Sequence, residues 1–200
     1  MSASDDTPRV DGRTARRQRN IDAVLDVVQQ MFTEDSVFPT MEQVSTRSGV
    51  SLRSLYRYFD GPTALIEATV ARINMHARGV GNIDDLGQGP FEERLAAFVS
   101  TRVRLHEAFG AAQQAAIFNA HEREPARRML NANRALMRDQ FLSQFELELS
   151  EFPPAAREQV VAAADVLTQL ETLWYLRRHR EYSLDEIAEV LSEGLRRLLR

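Results

Sequence analysis

The residues best equipped for chemistry lie between Thr40 and Phe59, where hydroxyls (Thr40, Ser51, Ser54), phenols (Tyr56, Tyr58) and guanidiniums (Arg53, Arg57) crowd together. Such a set hydrogen-bonds phosphate oxygens and base edges; it pairs no nucleophile with a base. Other chemistries lack their parts. The chain has no Cys, so thiolate metal sites and disulfides are excluded. Carboxylate-bridged dimetal bundles need Glu-x-x-His pairs, yet Ile73, Val103, Phe118 and Leu176 stand three residues before His76, His106, His121 and His179. His121-Glu122-Arg123-Glu124 offers a lone His-x-x-Glu, a pattern that solvated helix ends produce by chance. No Gly-rich phosphate loop or Gly-x-Ser-x-Gly elbow occurs. We expect no catalytic residue, no metal site and no cofactor.

The elements that must position those side chains follow from local pattern. Thr40 precedes Gln43 by three, the start of a capping box, and Gly49 ends the short helix it opens. Ser51 then caps a second helix whose Leu55 and Phe59, four apart, share its inner face. This is a helix-turn-helix pattern, in which the second helix enters the DNA major groove N-terminal end first. Arg53 and Ser54 are expected to meet base edges and Leu52 a thymine methyl, with Ser51 beside them. Thr40, Tyr56, Arg57 and Tyr58 are expected on the backbone. Two positions on a helix differ by about 200°, so one of the two tyrosines is expected to pack on the chain's first helix. That helix carries Ile21, Val24, Leu25, Val28 and Phe32 as one stripe, to be covered by Val44, Val50, Leu55 and Phe59. Arg9, Arg13, Arg16, Arg17 and Arg19 lie ahead of the stripe, where a basic arm can reach phosphates or the minor groove. All 25 basic residues are Arg, and the formal net charge is −4, which opposes indiscriminate nucleic-acid binding.

Gly49-Val50-Ser51 followed by Leu55-Tyr56-Arg57-Tyr58-Phe59, with Leu65 in the next helix, resembles the signature of the TetR family of one-component bacterial transcription regulators. The motif match spans Ile21 to Val70. One position departs: the family commonly has a Lys three residues after the Phe, near a phosphate, and this chain has Pro62. The resemblance implies an all-α fold of about nine helices and a ligand-responsive, homodimeric repressor released from a palindromic operator by a small-molecule effector. It also implies a mostly apolar cavity in the helical body for an apolar or aromatic effector. The residues placed there are His106, Phe109, Gln113, Phe118, His121, Met137, Phe141 and Trp174. A helical DNA-binding module without ligand control is the alternative.

The rest of the chain reads as helices. Residues 1–12 form a polar, acidic tail without the apolar core of a signal peptide; with no run near the roughly 18 apolar residues of a membrane span, a cytoplasmic protein is expected. Residues 13–76 make the DNA-binding domain together with a fourth, linking helix that Pro62 opens and Leu65, Ile66, Val70 and Ile73 continue. Residues 77–90 are a Gly-rich loop, and residues 91–200 the effector-binding and dimerisation domain. Within that domain the patterns predict a helix over 91–109 broken by Gly110, a shorter one before Pro125, then helices over 126–149 and 155–180. Ser183 to Glu186 is a capping box for the last helix. Broad apolar stripes on the last two helices suggest an isologous four-helix interface between two copies, centred on Leu170, Leu173, Leu191, Leu195 and Leu198.

Overall fold

The computed structural model describes residues 12–35, 39–119 and 124–200. The acidic tail with Arg9, all of His121, and the side chains of Arg13 and Phe118 lie outside the described residues. Those described form ten helices and no strand: α1 (Gly12–Asp35), α2 (Met41–Ser48), α3 (Leu52–Tyr58), α4 (Gly61–Val80), α5 (Phe91–Asn119), α6 (Glu124–Gln144), α7 (Glu146–Leu149), α8 (Pro154–Thr168), α9 (Leu170–His179) and α10 (Leu184–Leu198).

The local signals produce the expected caps. Thr40 Oγ1 accepts from the Gln43 amide at 3.3 Å while the Gln43 side chain accepts from the Thr40 amide at 2.8 Å, so two N–H groups that a helix start would orphan are satisfied. Gly49 ends α2 at φ 69°, left-handed backbone that a Cβ would strain. Ser183 and Glu186 repeat the capping box at α10.

Packing organises around α5. This helix spans about 43 Å at 1.5 Å per residue and touches α1, α4, α6, α9 and α10. Its two halves serve two apolar clusters. Leu105, Phe109 and Ala116 join the core of the head (Val24, Val28, Phe32, Val44, Leu55, Phe59) through Val70 and Ile73 of α4. Leu95, Phe98 and Val99 pack with Phe141, Phe145, Leu173, Ile187, Leu191 and Leu195. Phe98, Phe141 and Phe145 form a ring cluster with centroids 5.2 to 5.8 Å apart, tilted or edge-on.

Three expectations are corrected. Gly110 does not break α5, since a buried helical Gly costs only about 1 kcal/mol and packing on both sides outweighs that. The helix expected over 155–180 is two helices, because Gln169 takes extended backbone (φ −67°, ψ 147°) and the Thr172 hydroxyl donates to the Val166 carbonyl that the break frees. Leu170 thereby turns toward the first cluster and Leu173 toward the second. The dimer residues are also misplaced. Leu170, Leu173, Leu191 and Leu195 are buried within one chain, the last three with no exposed surface at all, and Leu198 is half-covered by the same core. The stripe on α10 is sheathed by α5, α8 and α9 of its own protomer.

Arg94 of α5 is buried and ion-paired with Glu148, donating at 2.9 Å from Nη1, and it also donates to the Gln144 carbonyl. That hydrogen bonding holds the Glu148 carboxyl below the usual range. A lowered folded pKa adds stability that is present above the unfolded value, roughly 4.3, and is lost as pH falls through the folded one. Glu148→Gln should therefore cost about 1 to 3 kcal/mol at pH 7 by denaturant unfolding, with the gap to the unmodified protein closing at acid pH.

Candidate functional site

Ser51 Oγ accepts from the Ser54 amide at 3.3 Å and donates to Ser54 Oγ, so both hydroxyls stand at the start of α3. Arg53, Tyr56 and Arg57 are exposed, Tyr56 by 53 %. The tyrosines divide the two roles that helix geometry required. Tyr58 is half-buried and accepts from Asn20 Nδ2 of α1 at 3.2 Å, with the Arg17 and Arg57 guanidiniums 5.7 and 5.4 Å from its ring centroid. The Asn20 hydrogen bond, then Arg57 and Arg17, favour its phenolate and hold the phenol below its ordinary range. Leu52 is half-buried against the head core, which leaves only part of its side chain for a thymine methyl. Thr40 is exposed beside its cap, and Arg16 and Arg17 are exposed on α1. Arg47, by contrast, is held by Glu34. Pro62 is exposed in the first turn of α4.

The body contains a cavity of about 640 Å³ between α4, α5 and α6. Its size falls within the range of small-molecule sites. Of the residues expected there, Phe109, Gln113 and Met137 line it. Gln113 Nε2 donates to Glu171 at 2.9 Å, and Arg134 holds the other oxygen of that carboxylate. Three others are elsewhere. Phe141 belongs to the aromatic cluster, Trp174 stacks edge-on against His179, and His106 is buried against Gly110, which has no side chain to displace it. Burial and the nearby Arg177 charge lower the His106 pKa.

The polar residues that do face the cavity include Asn74 and Asn82 from the α4 side, Arg102 from α5, and Asn133 and Gln140 from α6. Arg102 had a visible signal: it interrupts the apolar series Leu95, Phe98, Val99, Leu105. Its Nη1 donates to Gln140 Oε1 at 2.5 Å and its Nη2 to the Met137 carbonyl at 2.9 Å, while Gln140 Nε2 donates to the carbonyl of Gly81, the C-cap of α4, at 2.7 Å. A continuous hydrogen-bond chain thus joins the cavity wall to the body end of the linking helix.

No family model matches the chain. The HTH-type transcriptional regulator BetI of Escherichia coli (strain K12 / DH10B) is 30 % identical over 110 residues, 54 % of this chain and 55 % of that protein. The chain thus matches only about half the length of these curated relatives. The crystal structure of a putative TetR-family transcriptional regulator from Rhodococcus sp. superposes with TM-score 0.73 at 17 % identity over 91 % of this chain and 100 % of that one. The chain has the TetR-family regulator fold. A TetR-family transcriptional regulator from Streptomyces coelicolor shares it at TM-score 0.67 and 20 % identity, over 90 % of this chain and 78 % of that one. Among the described residues no helix is long and apolar enough to cross a membrane, and no His/Asp/Glu group could hold a metal.

The division between the tyrosines can be checked by unfolding. Tyr58→Phe leaves Asn20 without its acceptor and should cost about 0.5 to 1.5 kcal/mol, whereas Tyr56→Phe, at an exposed side chain, should leave stability unchanged.

Proposed function

We propose that this protein is a DNA-binding transcriptional regulator: a homodimer that represses from a palindromic operator and is released when a small molecule occupies the cavity in its body. The observation that carries this reading is the exposed face of α3, with Arg53, Tyr56 and Arg57 near Arg17 of α1, whose guanidinium lies over the Tyr58 ring, in a chain whose net charge is negative. Local positive charge on a TetR-type head favours one duplex-sized footprint over general nucleic-acid affinity. In this reading residues 13–76 are the DNA-binding unit, with Arg13 in its basic arm, and residues 91–200 the effector and dimerisation unit. Ser51, Arg53 and Ser54 meet bases, Thr40, Tyr56 and Arg57 contact the backbone, and Tyr58 braces α3 against α1. The relatives are transcriptional regulators, which speaks for binding over catalysis.

The dimer surface moves from the interior leucines to the outside of α8, where Ala155, Gln159, Ala162, Ala163 and Val166 share one solvent-facing stripe and Val166 is 71 % exposed. Small side chains let two helices approach closely. Ala162→Arg should then yield folded monomers with weakened operator binding, whereas Leu195→Arg should unfold the chain. Size-exclusion chromatography with circular dichroism separates the two outcomes.

Binding sites selected from a random DNA pool should be palindromes with half-site centres about 10 base pairs, or a multiple, apart. Arg53→Ala should weaken binding by about 1 to 3 kcal/mol and relax one position in each half-site. A selected pool with no recurring sequence would refute the reading.

A further inference from the structure

Two arginines on α5 make similar contacts to α6 and differ in one respect. Arg94 and Arg102 are both fully or nearly fully buried, and each donates to a backbone carbonyl of α6, Gln144 and Met137 respectively. Each also adjoins a buried or half-buried glutamine, since Gln144 Nε2 donates to the Arg94 carbonyl and Gln140 accepts from Arg102. Arg94, however, has a carboxylate, that of Glu148, on its fork. Arg102 has none. Asp165, the acid whose charge acts on it, is hydrogen-bonded to Arg138 instead. The remaining support is the Phe98 ring face, 4.1 Å from the guanidinium carbon, and the buried Nε–H has no acceptor.

A charge withdrawn from water needs an opposite charge or neutralisation, because desolvating an unpaired ion is costly. Burial does push Arg102 down, to about 9, which leaves it protonated at neutral pH. A glutamine could tie α5 to α6 through the same two acceptors at far lower cost. Arg102 is part of the cavity lining but has no exposed surface, so a ligand reaches its fork by displacing Gln140. The lining also holds Arg78 and Asp139 and is otherwise largely apolar, with Val70, Ile73, Leu105, Phe109, Ala116 and Met129. We propose that the cavity binds an amphipathic carboxylic acid, its carboxylate bridging Nε–H and an Nη–H of Arg102 and its apolar body lying against α4 and α5. Side-on bidentate pairing of this kind is the geometry that the guanidinium fork favours. The proposal rests on the effector reading above and names its ligand class. It also gives that ligand a grip on α4, because a carboxylate at Arg102 competes with Gln140, whose amide holds Gly81.

The probes are decanoate, decan-1-ol and decylamine, which share a chain and differ in head group. Their affinities for the purified full chain are measured by calorimetry at pH 7, for the unmodified protein, Arg102→Met and Arg102→Lys. Decanoate should bind on the order of tenfold or more tighter than the alcohol, with the amine weakest. Arg102→Met should erase the preference for the acid while keeping the alcohol's affinity, and Arg102→Lys should restore part of it. An alcohol that binds as tightly as the acid, a Met variant that still prefers the acid, or binding by none of the three overturns the proposal. Should Arg102→Met fail to fold, the head-group order in the unmodified protein and the Lys variant decides. Operator affinity is measured separately. Acid binding that depends on Arg102 yet leaves DNA affinity unchanged refutes the effector reading alone, whereas release by the alcohol but not by the acid refutes the carboxylate alone.

Discussion

The burial of α5 on nearly every side is the constraint from which the rest of the structure follows. A 29-residue helix with Leu95, Phe98, Val99, Leu105, Phe109 and Ala116 directed to different neighbours cannot be covered by one partner. Helix α10 covers its first half, α1 and α4 close on its second, and α6 and α9 reach along both. The head is therefore not tethered to the body by a linker alone. Its core runs without interruption from Val24 and Leu55 through Val70 to Phe109 and Met129. Apolar burial of that extent is the dominant favourable term in folding, and it makes the head's position a property of the body's packing.

That continuity gives an occupied cavity a physical route to the exposed face of α3, the DNA-binding surface proposed above. The cavity lies where the first cluster is incomplete, and Val70, Ile73, Asn74 and Ala77 of α4 form part of its wall. The other end of α4 is fixed by Leu65 and Ile66 in the head core, and Arg72 donates to the Asp22 carbonyl of α1 at 3.0 Å. A ligand can move this helix only through contacts that differ between its two positions. The Arg102–Gln140–Gly81 chain is polar, directional and confined to the body end of α4, so a ligand that broke it would supply such a contact.

The head was legible in the sequence because its signals are local. Thr40, Gln43, Gly49 and Ser51 act within a few residues of themselves, and each cap forms as its spacing implies. The body was legible only in outline. An apolar stripe states that a face is buried without naming what buries it, so Leu173, Leu191 and Leu195 suggested a second copy when their own chain covers them. Gly110 lost its breaking effect to tertiary packing, and the break at Gln169 has no Gly or Pro to announce it. Of the cavity, Phe109, Gln113 and Met137 could be picked out as a mix of apolar and polar residues mid-helix. Phe141 fits the same description and belongs to the aromatic cluster, because choosing between the two faces of a helix needs the positions of its neighbours. Arg102, a lone charge in an apolar series, was the better marker.

The claim on which the functional account turns is that cavity and DNA-binding face share one free energy. Linkage makes it measurable from either side, since a ligand that weakens operator binding by some factor must itself be bound more weakly, by the same factor, when operator is present. The decisive measurement is the affinity of the cavity for its tightest-binding probe in the free protein and in the protein saturated with a selected operator. Coupling through α4 requires the operator complex to bind that probe more weakly, by a factor of roughly 5 to 150. Equal affinity in the two states would contradict it.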